Sequence, residues 1–489
     1  MNMQALRSKL AGLLRRFRDG SPAVKASIAY MICTFMQKGI SILTTPIYTR
    51  LLTTEEYGYF SVFNSWLAVV KIFSTLMLAG TLYMQALVKF QHEKERMTSA
   101  VAGLGTMTTL IVTVVYLLFR EQINALMHVD TFIMTCILVT AWEELILDLW
   151  AVQQRVAYRY KPLVALTLTT SVVKPVLGVL AVLATQSYKA EARILSSVAV
   201  DVLAYSWFFI SFIRLGKTLY DRKFWKYFLA FSIPLVPHFL TRIVLNQSDK
   251  LMIQMLVGLG PAGIYNLAHS LAWMLTLVTQ ALLNTINPWV FQRIKSREFP
   301  QIASAAYMTS GLVAAAGLAL TAVAPEVVRI FAPVEYHEAV WIIPPLVASV
   351  YFTYLYSLFS DFEYYYEAKR NILIASLLGG VLNIVLNYIF IRRFGYLAAG
   401  YTTLVCFVFL AGAHFWSMNR LLGKKEGGMR VIRLRPMILL SGAFLLAQAA
   451  CMLTYQLPLL RYALVLAGCC IAVWQRKRIL TPLLALRNK

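Results

Sequence analysis

Charge is what this sequence has least of. Only 14% of its 489 residues are Asp, Glu, Lys or Arg, while 59% are hydrophobic; a soluble domain has about a quarter charged and about half apolar. So few charges cannot cover the water-facing surface of a chain this long, which excludes a soluble multidomain protein and leaves a polytopic membrane protein. Acidic residues are the scarcest: 22 Asp and Glu against 46 Lys and Arg, a formal +24. In a soluble protein that excess would point to nucleic acid. Most of it sits in short loops between apolar runs, where it sets topology, so no nucleic-acid partner is expected. The six cysteines, Cys33, Cys136, Cys406, Cys451, Cys469 and Cys470, lie inside apolar runs without a C-x-x-C pair, excluding a disulfide frame or a cysteine metal site. A phosphate-binding loop is missing too, since Gly216-Lys217-Thr218 lacks the upstream glycine, and there is no H-E-x-x-H. No cofactor and no enzyme activity are expected.

What is present is a succession of apolar runs. At about 20 residues per span there are fourteen: 26–49, 58–82, 98–119, 131–152, 162–183, 191–212, 227–246, 262–290, 302–324, 339–360, 371–391, 396–417, 436–454 and 459–474. Residues 1–25 read as a basic amphipathic cytoplasmic segment rather than a signal peptide. With the N-terminus inside, 33 of the 46 Lys and Arg fall in inner loops and tails, 9 in outer loops or at the outer ends of spans, and four deeper within spans. That asymmetry places both termini in the cytoplasm. The outer loops are short, that from Pro325 to Glu338 being among the longest, which leaves no external domain for a glycan polymerase or ligase.

The chain also repeats itself. EEYGYFSVFNSWLAVV at 55–70 echoes GPAGIYNLAHSLAWML at 260–275, matching Gly58 with Gly263, Ser61 with Asn266 and Asn64 with His269. A second echo pairs 159–180 with 369–390. The expected fold is all-α: two pseudo-symmetric six-helix halves, 26–213 and 227–417, joined by a cytoplasmic linker, 214–226. A second linker, 418–435, then leads to helices 13 and 14 in 436–475 and a basic tail, 476–489. Such duplication is common in secondary transporters.

Several segments carry a family resemblance: GISILTTPIYTRLLTTEEYGYFSVFNSW, IPLVPHFLTRIVLNQSDKLMI, VGLGPAGIYNLA, APEVVRIFAP with YHEAVWIIPPL, and NIVLNYIFIRRFGYLAAGYTTLV. In this order they resemble polysaccharide flippases of the MATE-related superfamily, in the branch that includes Wzx-type O-antigen flippases. The resemblance implies a bacterial inner-membrane protein that moves undecaprenyl-diphosphate-linked oligosaccharides from the cytoplasmic to the outer leaflet by alternating access. It implies membrane lipid as a second partner, a polysaccharide polymerase as a possible third, and a chain able to act as a monomer. A multidrug exporter of the same fold and a peptidoglycan-precursor flippase are the alternatives.

The candidate site comes from charges at depth, each costing about 2.5–3.5 kcal/mol on insertion scales. The cations are Lys38, Lys71, Lys174 and Arg242, and the anions Glu143, Glu144, Asp148 and Asp201. The cations would line a cavity between the halves that holds the diphosphate headgroup, or would pair with the carboxylates. Arg242 has no evident mid-span partner, because Asp249 is expected beyond the end of its helix. Glu144 and Asp148, four apart, share a helix face, while Glu143 points about 100° away. These carboxylates would couple transport to a transmembrane proton or sodium gradient, or serve as counter-ions. Asn64, Asn266 and His269 would contact sugar hydroxyls or join helices. The aromatic run 351–369 would stack on sugars or form an interfacial belt, and Pro234, Pro237, Pro344 and Pro345 would break spans 7 and 10.

Overall fold

The computed structural model describes residues 21–427 and 431–463, and every regular element in them is a helix. Residues 1–20, most of the expected last span and the basic tail lie outside the described residues. The helices gather into two units, one up to Leu240 and one from Thr241.

The first unit begins with α1 (Pro22–Leu51), where Ser21 caps the Val24 N–H and Pro22 takes a first-turn position that needs no donor. A capping box between Thr53 and Glu56 starts α2 (Thr54–Thr75). The run expected as a single span over 58–82 is interrupted: Leu76 and Met77 adopt left-handed backbone, and α3 (Thr81–Lys89) follows. Next come α4 (Lys94–Leu118), α5 (Arg120–Met127), α6 (Thr131–Val156), α7 (Tyr160–Ala184) and α8 (Lys189–Gly216). Asp130 caps α6 through Ile133 N–H at 2.7 Å. Leu82, Tyr83, Met97, Leu145, Leu149 and Phe228 belong to one buried cluster tying α3, α4, α6 and the start of α9 (Arg222–Leu256) together. The basic connection after α8 is clamped onto α4. Ser99 donates to Thr218 O at 2.5 Å and Trp225 Nε1 to Ala100 O at 2.9 Å. Gly103 lets the backbone at Leu219 approach, since a Cβ there would overlap the Leu219 carbonyl.

The second unit takes the end of α9, then α10 (Leu259–Ala272), α11 (Leu275–Lys295), α12 (Phe299–Ala322), α13 (Ala324–Phe331), α14 (Ile343–Tyr365), α15 (Lys369–Phe394), α16 (Ala398–Lys425) and α17 (Leu434–Leu453). The run expected over 262–290 is also two helices, because Met274 and Thr276 N–H turn to carbonyls three residues back. Of the expected proline breaks one is corrected: Pro234 and Pro237 lie inside a continuous α9; Pro344 and Pro345 occupy the first turn of α14, where the chain bends by 45° after residues 334–341. α14 is the most enclosed helix, packed on α10, α11, α12 and α16.

Eight described helices are long and apolar enough to cross a membrane, and a ninth span forms if residues 334–341 and α14, bent by 45°, count as one. α6 is not among them, since Glu143, Glu144 and Asp148 fall within two turns. The echo segments open equivalent helices, α2 with α10 and α7 with α15.

Candidate functional site

Five helices of the first unit, α1, α2, α6, α7 and α8, enclose a cavity of about 360 Å³. Its wall carries Lys174 from α7, Asp201 and Arg193 from α8, Glu144 from α6 and Asn64 from α2. Lys174 Nζ lies 2.5 Å from Asp201 Oδ1; the lysine side chain keeps 31% of its exposure while the aspartate keeps 2%. The ammonium therefore faces the cavity and the carboxylate is sealed behind it. Arg193 sits between two aromatic faces, its guanidinium carbon 3.5 Å from the ring centres of both Tyr48 and Phe60. A planar cation stacked in this way is held rigid, and Arg193 keeps 8% of its exposure, with Nη1 buried.

Tyr48 is fixed in turn by donating to Pro175 O at 3.0 Å. Gly178, one turn on, leaves the room, because a Cβ there would meet the Tyr48 hydroxyl.

The three expected cations whose side chains are described do not converge. Lys174 lines the cavity. Lys71 is bound to the carboxylates that share a face of α6, Glu144 at 2.7 Å and Asp148 at 3.1 Å. Lys38 is exposed on α1, where its neighbour Gln37 supplies the cavity wall instead. Arg242 lies on α9, and its side chain is outside the described residues. The described charges on the wall are two cations and two carboxylates, so the expected cationic cavity is balanced instead. Glu143 turns away from Glu144, as the helix angle requires, and accepts from Ser206 Oγ at 2.7 Å. Asn64 lines the cavity and donates to Phe60 O at 2.8 Å. Asn266 and His269 both lie on α10 in the second unit; Asn266 is half-buried and His269 stacks on Trp273 at 4.2 Å.

Sequence reasoning missed Arg193, which it counted with the outer charges and not among those at depth, and which occupies the first turns of α8. It also missed a polar knot in the second unit. The expectation that Asp249 lies past its helix is corrected: α9 continues to Leu256 and buries Asp249 to 3% exposure. Its carboxylate accepts from Tyr265 OH at 2.8 Å, Thr403 Oγ1 at 2.7 Å, Asn387 Nδ2 at 2.6 Å and Asn383 Nδ2 at 3.2 Å. Ser248 and Thr402 donate to the two amide oxygens. A buried carboxylate ringed by amide and hydroxyl oxygens is a donor set that suits a hard cation. The signal in the sequence was Asn383 and Asn387, four apart on one face of an apolar run. Glu363 and His414 form a further buried pair, Nδ1 to Oε2 2.5 Å, with neither side chain exposed. The aromatic run is largely core: Tyr351 and Tyr354 are buried, and the Tyr351 hydroxyl meets Ser441 at 3.0 Å.

Comparison with known proteins adds three findings. A family model described as "Polysaccharide biosynthesis protein" matches residues 23–294. A product of the Lsg locus of Haemophilus influenzae is 22% identical over 283 residues, 56% of this chain and 67% of that one. Among solved structures, the lipid II flippase MurJ in an inward closed conformation superposes with a TM-score of 0.67 at 14% identity, covering 93% of this chain and all of the other. An inward-facing multidrug resistance MATE transporter of the MOP superfamily gives 0.59 at 14%, over 83% of this chain and all of that one. At such identity the two structures establish the fold.

Proposed function

The chain belongs to the polysaccharide biosynthesis protein family, a group of membrane transporters and not of enzymes, and from that premise we propose that it flips undecaprenyl-diphosphate-linked oligosaccharides. The repeat unit enters from the cytoplasmic leaflet of the bacterial inner membrane and leaves to the outer leaflet by alternating access, for assembly of a surface polysaccharide. The full chain crosses the membrane fourteen times with both termini inside. A proton or sodium gradient drives the cycle.

One observation carries the reading: Arg193, clamped between Tyr48 and Phe60 on the wall that also presents Lys174. A guanidinium and an ammonium are the two side chains that bind diphosphate oxygens, the first as a fork and the second as a point charge. Gln37, Asn64, Ser171 and Ser197 on the same wall offer hydrogen bonds to sugar hydroxyls. The volume, about 360 Å³, lies at the lower end of the roughly 300–1,000 Å³ of small-molecule sites. The cavity thus suits the charged head and its first sugar, with the polyprenyl tail left in the bilayer.

Deletion of the gene is expected to trap completed lipid-linked units on the inner leaflet and to abolish the surface polymer. Arg193→Glu should reproduce that loss with folded protein still in the membrane. Unchanged lipid-linked pools with intact polymer would refute the flippase. The wall carboxylates Glu144 and Asp201 favour a second reading, export of organic cations, in which deletion raises drug sensitivity and leaves the glycan unaltered. Arrest of peptidoglycan synthesis on depletion would point to its precursor as the cargo.

A further inference from the structure

Of the four carboxylates within the expected spans of the first unit, three have a cation: Lys71 holds Glu144 and Asp148, and Lys174 holds Asp201. Among the described residues Glu143 has none. It is 1% exposed, Oε1 receives the Ser206 hydroxyl, and Oε2 is buried with no hydrogen-bond partner. That carboxyl opens onto a second hollow of about 530 Å³, separate from the ion-paired cavity and lined by α4, α6 and α8. The hollow offers no compensation. The Thr106, Thr109 and Thr113 hydroxyls on α4 are turned to backbone carbonyls, and the Trp142 indole N–H goes to Thr106. α4 presents no ionised residue to it. From α8 the charged group in range is Asp201, of like sign, and on α6 it is Glu144, already bound to Lys71. A buried carboxylate without a cation and with one oxygen unsatisfied is strongly disfavoured against its neutral acid.

We propose that Glu143 is a proton-binding site of this transporter, carrying its acid hydrogen on Oε2 toward the threonine-lined hollow and exchanging it independently of the cavity that bears Lys174 and Arg193. Only the use of the proton rests on the flippase reading: the empty carrier would return with it.

The test needs no transport. Purified full-length protein in phosphatidylethanolamine–phosphatidylglycerol vesicles is treated with dicyclohexylcarbodiimide, an apolar reagent selective for protonated carboxyls. The acid O–H adds across the carbodiimide C=N bond, and the O-acylisourea rearranges to a stable N-acylurea, with nothing leaving. Peptide mass spectrometry is expected to place the adduct on Glu143 and not on Glu144, Asp148 or Asp201. Labelling should fall as pH rises, since the reagent takes only the protonated acid. Glu143→Gln should lose the adduct and remain folded. Labelling of the buried Asp361 without Glu143 would overturn the proposal. So would labelling of Glu143 that does not change with pH, since that proton never leaves. A labelled Glu143 in a protein whose deletion leaves the polymer intact would uphold the proton site and sink the flippase alone.

Discussion

In the first unit a buried carboxylate meets a cation. Lys174 holds Asp201 at the cavity wall, and Lys71 reaches both Glu144 and Asp148. In the second, Asp249 is held by two amides and two hydroxyls, none of them charged. The two solutions neutralise the same chemical group but respond differently to a visitor. An ion pair beside a cavity can exchange one ion for another, so an arriving anion would compete with Asp201 for Lys174. A carboxylate with four separate donors has no single partner to exchange, and displacing it would leave all four unsatisfied. The first arrangement suits a site that must bind and release; the second suits a fixed anionic centre.

The largest effect should come from breaking the second. Asp249→Leu strands the donors of Tyr265, Thr403, Asn383 and Asn387 in the core, and is expected to cost on the order of 4 kcal/mol, read as a large drop in melting temperature in detergent. A variant that melts like the wild type would erase the contrast. Next is the exchangeable pair. Lys174→Gln and Asp201→Asn should each destabilise alone, and the double variant should recover part of the loss, with a coupling of about 0.5–3 kcal/mol. Additive losses would mean that the pair is not one unit. Arg193→Lys keeps the charge but loses the planar stack, and should weaken transport by roughly tenfold at unchanged protein level; full activity would show that charge alone suffices. Least should come from Lys71→Met. Its partners Glu144 and Asp148 retain 34% and 50% exposure, so water can replace the lysine at a cost below about 1 kcal/mol.

Depth and helical face were legible in the sequence because both are local properties. The spacing of Glu143, Glu144 and Asp148 foretold which two share a face and which turns away, since 100° per residue is fixed by the backbone. Partners were not legible. Arg193 lies a few residues past a loop, where a cation ordinarily reads as a topological signal, and only folding brings Tyr48 and Phe60 over its faces. Asp249 was misplaced because its surroundings are too polar to resemble a span, and that polarity is the knot itself. Asn383 and Asn387 differ from ordinary helix-joining amides only by the carboxylate that they meet across the bundle. The interruption at Trp273–Met274 escaped because no proline or glycine marks it, and that at Leu76–Met77 because its single glycine, Gly80, follows the break as the N-cap of α3.

Gly178 has no side chain to offer a ligand, and yet any larger residue there would displace Tyr48 from Pro175 and slacken one jaw of the arginine clamp. A saturation scan of this chain read by sugar export should therefore show an intolerant position on α7 that bears no charge, no donor and no ring. Its intolerance would report the width of a gap. Substitutions there would shift which headgroups are accepted without touching one of them, making Gly178 a place where cargo preference can drift by a single methyl.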